Sequence, residues 1–161
     1  EEDLLYTLNQ LTAVLEYRKG RLAETGCPNL DAYNEATGEG LPRLVFACDE
    51  VAEVLDRTGK NKEDKERLGQ IENRLSTIAR LGRAFGIHLI LSTQRPDAAI
   101  LPGQIKNNMD FRVCGRADNV LSQIILDNTS ATEQIPKDAR GRFITGDGAV
   151  FQGYLFDEGQ L

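Results

Sequence analysis

The sequence predicts a three-layer α/β domain built on a mainly parallel sheet, and three observations carry that prediction. Two apolar runs, Arg43 to Glu50 and Ile87 to Ser92, read as strands covered on both faces, as central parallel strands are. Each run is preceded by a segment with helical apolar spacing. Each also ends abruptly in polar residues, Asp49-Glu50 in the first case and Thr93-Gln94-Arg95-Pro96 in the second. Helices alternating with buried strands are the pattern of parallel sheets with crossover connections.

Leu4, Leu8, Leu11 and Leu15 recur at spacings of four, three and four and line one face of a first helix. That helix runs through Glu16-Tyr17-Arg18-Lys19 and dissolves near Thr25-Gly26. Cys27 to Pro42, with its prolines and glycines, reads as an ordered loop. After the first strand, Val51, Val54 and Leu55 mark a short helix. Thr58 to Lys65 is too polar to pack and reads as a surface loop. Leu68, Ile71, Leu75, Ile78 and Phe85 then give a long helix ended by Gly86.

Beyond the second strand, Asp97 to Gly103 is a turn-rich link and Gln104 to Met109 a short helix. Phe111 to Cys114 reads as a third strand, and Asp118 caps a helix through Val120, Leu121, Ile124 and Ile125. Pro136 and Gly141 bracket a loop. Arg142 to Thr145 and Val150 to Phe156 form a terminal hairpin around Gly146-Asp147-Gly148, because Asp-Gly favours a tight turn.

At 161 residues the chain suits one domain with a real core, and no repeat or low-complexity segment interrupts it. No stretch approaches the roughly 20 apolar residues of a membrane span. The 19 basic and 25 acidic residues leave a net charge of −6, which excludes broad adhesion to nucleic acid and confines any DNA contact to a local loop. Cys27, Cys48 and Cys114 have no metal-ligand spacing and are odd in number, which fits a reducing cytoplasm and small apolar roles for Cys48 and Cys114.

Paired acids at a strand end are the Walker B pattern of P-loop ATPases, in which one holds magnesium and the next acts on the attacking water. Asp49 as a plain helix cap is the competing reading. The polar end of the second strand, if it lies beside the first, is placed to sense a γ-phosphate. The order of several further motifs is more specific. Gly86-Ile87-His88-Leu89-Ile90-Leu91-Ser92-Thr93-Gln94-Arg95-Pro96 resembles the signature of the FtsK/SpoIIIE family of hexameric DNA translocases. So do Ile105-Lys106-Asn107-Asn108, Phe111-Arg112-Val113, and Ser122 with Ile125-Leu126-Asp127. Upstream, Arg21 to Gly26, Asn29-Leu30 and Ala32-Tyr33-Asn34 are similar to the family's segment ahead of Walker B.

The resemblance implies a RecA-like P-loop core, ATP hydrolysis with Mg2+, and a ring, hexameric in the family, around double-stranded DNA in the cytoplasm. It implies metal binding by Asp49, catalysis by Glu50, and nucleotide sensing by Gln94 with Thr93. It offers Arg18 as an arginine finger, against the competing reading of a solvated charge. Lys60, Lys62, Lys65 and Arg67 are the first DNA-facing candidates and Lys106 a second, although Glu63 and Asp64 dilute the first group. His88 receives no role.

The sequence has no G-x-x-x-x-G-K-[ST] loop to cradle phosphates. The expectation is therefore a single truncated motor domain over residues 1–161, with the phosphate loop upstream and membrane attachment, if any, through other regions. Such a piece is expected to be inactive alone and to expose apolar strand edges that demand a partner. Chromosome segregation and conjugative or mobile-element transfer are the processes implied. The alternatives are an ATPase of a type VII-like protein secretion motor and a non-catalytic assembly module. A response-regulator fold is disfavoured because Arg95-Pro96 does not supply its strand-end lysine.

Overall fold

The computed structural model describes residues 2–94, 102–155 and 159. Arg95, Pro96, the link at 97–101 and Phe156, all read from sequence above, lie outside the described residues. The described chain falls into two compact units, residues 2–94 with 102–108 and residues 109–155.

The first unit contains α1 (Glu2–Thr25), α2 (Leu30–Thr37), β1 (Leu44–Cys48), α3 (Val51–Leu55) and α4 (Lys62–Leu81). A 3-10 turn (Gly82–Phe85), β2 (Ile87–Leu91) and α5 (Gly103–Lys106) complete it. The buried residues of α1 are Leu8, Leu15, Arg18 and Leu22, so the stripe continues a turn further than the leucine spacing alone suggests. It packs against Leu68, Ile71, Leu75 and Ile78 of α4, all at most 1% exposed. Residues at such spacing share one helix face, and burying each large aliphatic contributes about 1.5–3 kcal/mol before entropy is counted.

Two local readings are corrected here. The stretch read as a loop between residues 27 and 42 holds α2, because Asn29 accepts a hydrogen bond from the Ala32 N–H and Gly38 closes the helix in the left-handed region. The polar run at 58–65 is half helix: Asn61 caps α4 by accepting from the Asp64 N–H, so α4 begins at Lys62. Its first two turns are charged because they carry a cap and ion pairs rather than core.

β1 and β2 pair in parallel, from Leu44 with Ile87 to Cys48 with Leu91. Their carboxyl ends therefore come out side by side. The strands differ from expectation in being covered on one face only. Val45 and Ile90 are 60% and 59% exposed, and Ala47, the cross-strand partner of Ile90, is exposed on the same open face. The apolar run still reads as a two-faced strand because each face is apolar, whatever covers it.

In the second unit, β3 (Val113–Cys114), α6 (Asn119–Leu126), α7 (Ser130–Gln134), β4 (Arg142–Thr145) and β5 (Val150–Gln152) surround a small core of Cys114, Ala117, Leu126, Ala131, Ile135 and Ile144. The third strand does not extend a parallel sheet. It shrinks to two residues and pairs antiparallel with β4, which pairs antiparallel with β5. Asp118 caps α6 as its position predicts, accepting from the Leu121 N–H. The Asp147 carboxylate accepts from the Thr145 hydroxyl in the turn between β4 and β5.

Candidate functional site

The parallel register brings residues 49–50 and 92–94 together at one edge of the sheet. The Ser92 N–H donates to the Cys48 carbonyl and the Val51 N–H to the Ser92 carbonyl, both at 3.0 Å, so the ladder continues past the last strand residues. This continuation fixes the two tips against each other. The Glu50 carboxylate accepts from the Thr93 hydroxyl at 2.5 Å through Oε1 and from the Gln94 N–H at 2.9 Å through Oε2. Glu50 is half-buried; Asp49 and Gln94 are exposed.

Sequence reading missed Ser92 as a member of this edge. Its hydroxyl reaches both the Asp49 carbonyl and, at 3.0 Å, the Asp49 carboxylate Oδ1. The available signal was its place immediately after the last apolar residue of β2. The competing reading has Asp49 as the cap of the helix that follows; the cap position of α3 is instead held by Glu50, whose side chain makes no capping bond, and the Asp49 carboxylate accepts from Ser92. Cys48 beneath them keeps its proton: burial raises its pKa above the ordinary thiol value, and the Asp49 and Glu50 charges raise it further.

Asp49 and Glu50 are hard oxygen donors. Among the described residues no three His, Cys, Asp or Glu side chains converge as a metal cluster. Carboxylate oxygens of this kind fit Mg2+, which usually takes one or two carboxylates and completes its shell with water and phosphate.

Arg18 lies at the opposite end of the sheet and is 3% exposed. Its guanidinium donates to the Phe85 carbonyl and to the Pro42 carbonyl, each at 2.7 Å. Those carbonyls precede β2 and β1, so Arg18 pins both strand entrances to α1. A finger must project, whereas this guanidinium is committed inside its own unit; the finger assignment is not supported.

The basic candidates do not form an open cationic surface. Lys62 lies 3.9 Å from Glu66, and Arg67 lies 3.4 to 3.8 Å from Glu2, Glu63 and Asp64. Lys65 is exposed, while Lys60 and Lys106 are half-buried. Starting the helix at Lys62 sets Lys62 four residues before Glu66 and Glu63 four before Arg67, a spacing that pairs opposite charges.

No family model matches the chain. The DNA translocase FtsK of Campylobacter jejuni (strain 81-176) is 33% identical over 129 residues, which is 77% of this chain and 13% of that protein. The FtsK of Halalkalibacterium halodurans is 30% identical over 135 residues, 77% of this chain and 16% of that protein. Among solved structures, the pCW3 conjugation coupling protein TcpA, in its monomer form with ATPgS, matches with a TM-score of 0.91 and 38% identity. That match covers 99% of this chain and 46% of TcpA. EccC of Thermomonospora curvata (ATPases 2 and 3), in complex with a signal sequence peptide, matches with a TM-score of 0.69 and 25% identity, over 92% of this chain and 25% of EccC. The chain thus spans only a small part of the relatives it matches. Within that part, motif order, sequence likeness and fold agree: the chain belongs to the FtsK/SpoIIIE family and has the RecA-like fold of its ATPase motor domains.

Proposed function

We propose that the chain is part of an ATP-driven motor that moves double-stranded DNA, and that it supplies the acidic and sensing edge of the nucleotide site. The observation that carries this reading is the contact of the Glu50 carboxylate with the Thr93 hydroxyl and the Gln94 N–H. Asp49 would hold Mg2+, with Ser92 orienting its carboxylate. Bound there, the metal supplies charge neutralisation for the phosphates. Glu50 positions and activates the attacking water. Thr93 and Gln94 report the γ-phosphate through the same carboxylate, since any movement of the β2 tip must alter the Glu50 hydrogen bonds.

The phosphate-cradling loop is supplied by chain outside these residues, and the open face of Val45, Ala47 and Ile90 is the surface on which the remainder of the motor domain packs. The working assembly is a ring, with six subunits as the family resemblance implies. Hydrolysis is tested in the polypeptide that joins this chain to a phosphate loop. ATP turnover there should rise on adding duplex DNA at low salt. Glu50→Gln should lower it by about 10²- to 10⁴-fold, the usual range for losing an acid–base group, while nucleotide binding persists. The present chain alone should show neither tight ATP binding nor turnover by calorimetry and phosphate release.

A protein-export motor is the second reading, favoured by the likeness to EccC. The likeness to the conjugation coupling protein is greater on both measures, 38% against 25% identity and 0.91 against 0.69 in TM-score, and supports DNA as cargo. Turnover that ignores duplex DNA at low salt would transfer the assignment to export.

A further inference from the structure

We propose that the segment of residues 137–142 in the second unit is a contact surface for the phosphate backbone of duplex DNA; this rests on DNA being the cargo. Lys137, Arg140 and Arg142 are all exposed within six residues. None has a carboxylate partner among the described residues, whereas the other two described arginines of this unit are engaged inside it. Arg112 holds the Asp127 carboxylate at 2.7 Å, and Arg116 donates to the Thr132 and Ile135 carbonyls.

Four described acids of the unit have partners away from the segment, Asp127 being the one that Arg112 holds. Asp118 caps α6, Glu133 accepts from the Thr129 hydroxyl, and Asp147 accepts from the Thr145 hydroxyl. Only Asp138 interleaves with the three cations, leaving a surplus of two positive charges on the segment. The 60–67 stretch, by contrast, sets three acids against four cations, and Lys62 and Arg67 lie against those acids.

The segment is also held in shape. The Gly153 N–H donates to the Gly141 carbonyl at 2.7 Å, and the Gln152 amide donates to the Arg140 carbonyl at 2.9 Å. Gly141 takes a φ of 68° there, which glycine adopts without strain. The backbone beneath the cations is therefore ordered before any ligand arrives, so little conformational entropy is lost on contact. Cations on a fixed backbone suit contact with phosphate oxygens, which position a protein on the duplex.

The test is a titration of the whole chain with a mixed-sequence DNA duplex at low ionic strength, followed by amide chemical shifts. The largest shifts should fall on residues 137–142 and disappear between about 50 and 200 mM salt. The triple variant Lys137→Ala, Arg140→Ala, Arg142→Ala should weaken the apparent affinity about tenfold or more. Lys60→Ala, Lys62→Ala, Lys65→Ala should leave it within about twofold, and Asp138→Asn should tighten it. Binding that persists in the first triple variant, or equal shifts with poly-glutamate, overturns the surface while leaving DNA as cargo. No shift anywhere with duplex overturns the surface too, and if ATP turnover in the longer polypeptide also ignores DNA, the DNA reading falls with it.

Discussion

The two ends of the β1–β2 pair use charge in opposite ways. At the carboxyl end, Asp49 is exposed and Glu50 half-buried, and both carboxylates accept hydrogen bonds from the polar tip of β2. At the amino end, Arg18 is buried and its guanidinium satisfies the carbonyls that lead into the strands. The same sheet therefore separates stability from chemistry: one end should break the fold when altered, the other should break turnover and leave the fold standing.

The largest expected effect at the buried end follows from Arg18. Arg18→Met keeps much of the packing but leaves the Phe85 and Pro42 carbonyls without their donor, which costs about 3 kcal/mol. Urea denaturation of the chain should show this as a lower midpoint with unchanged slope. Glu50→Gln should move the same midpoint by well under about 1 kcal/mol, since the amide oxygen of a half-exposed glutamine still accepts from the Gln94 N–H while its NH2 group donates to the Thr93 hydroxyl, which turns to accept. An Arg18→Met chain as stable as wild type, with turnover lost in the longer polypeptide, would reverse the comparison and restore the finger role.

Gly86 gives the next effect. It sits in the left-handed region at φ 69°, and a Cβ there would come within 2.2 Å of the Leu30 Cδ2 atom and 3.3 Å of the Arg18 Nη1 atom. Gly86→Ala combines backbone strain with that clash and should cost about 2 kcal/mol in thermal or urea unfolding. Equal stability of the alanine variant would mean that α2 and Arg18 pack against this corner less tightly than described.

These contrasts explain what the sequence made legible. Helix α4 and strands β1 and β2 were readable because periodicity of apolar residues depends on local geometry alone. The pairing of acids with Thr93 and Gln94 was readable because parallel neighbours must end on the same edge. Arg18 was not readable: an arginine among Glu16, Tyr17 and Lys19 looks solvated, and the carbonyls that bury it lie 24 and 67 residues away. Helix α2 hid among glycines and prolines because its evidence is two cap residues, Asn29 and Gly38, rather than a stripe. The basic stretch at 60–67 looked available because sequence shows charges without showing which are paired. Lys137, Arg140 and Arg142 were passed over for the converse reason.

The smallest effect, and the one that reads the carboxyl end most directly, is the proton on Cys48. Burial is the main cause that raises its pKa, with the Asp49 and Glu50 charges adding to it. A raised pKa in the fold means that folded chains hold the thiol proton more tightly than unfolded ones. Any stability contributed this way is fully present below the unfolded thiol pKa of about 8.5 and is lost as pH rises through the folded value. Near pH 8.5 Cys48 should therefore react with iodoacetamide more slowly than a free thiol, because the thiolate is the reacting form. Asp49→Asn or Glu50→Gln removes one charge without altering burial, so either change should speed alkylation of Cys48 modestly and shift its pH profile to lower pH. If neither variant moves that profile, the acids point away from the β1 tip, and the contrast between the two ends of the sheet loses its electrostatic half.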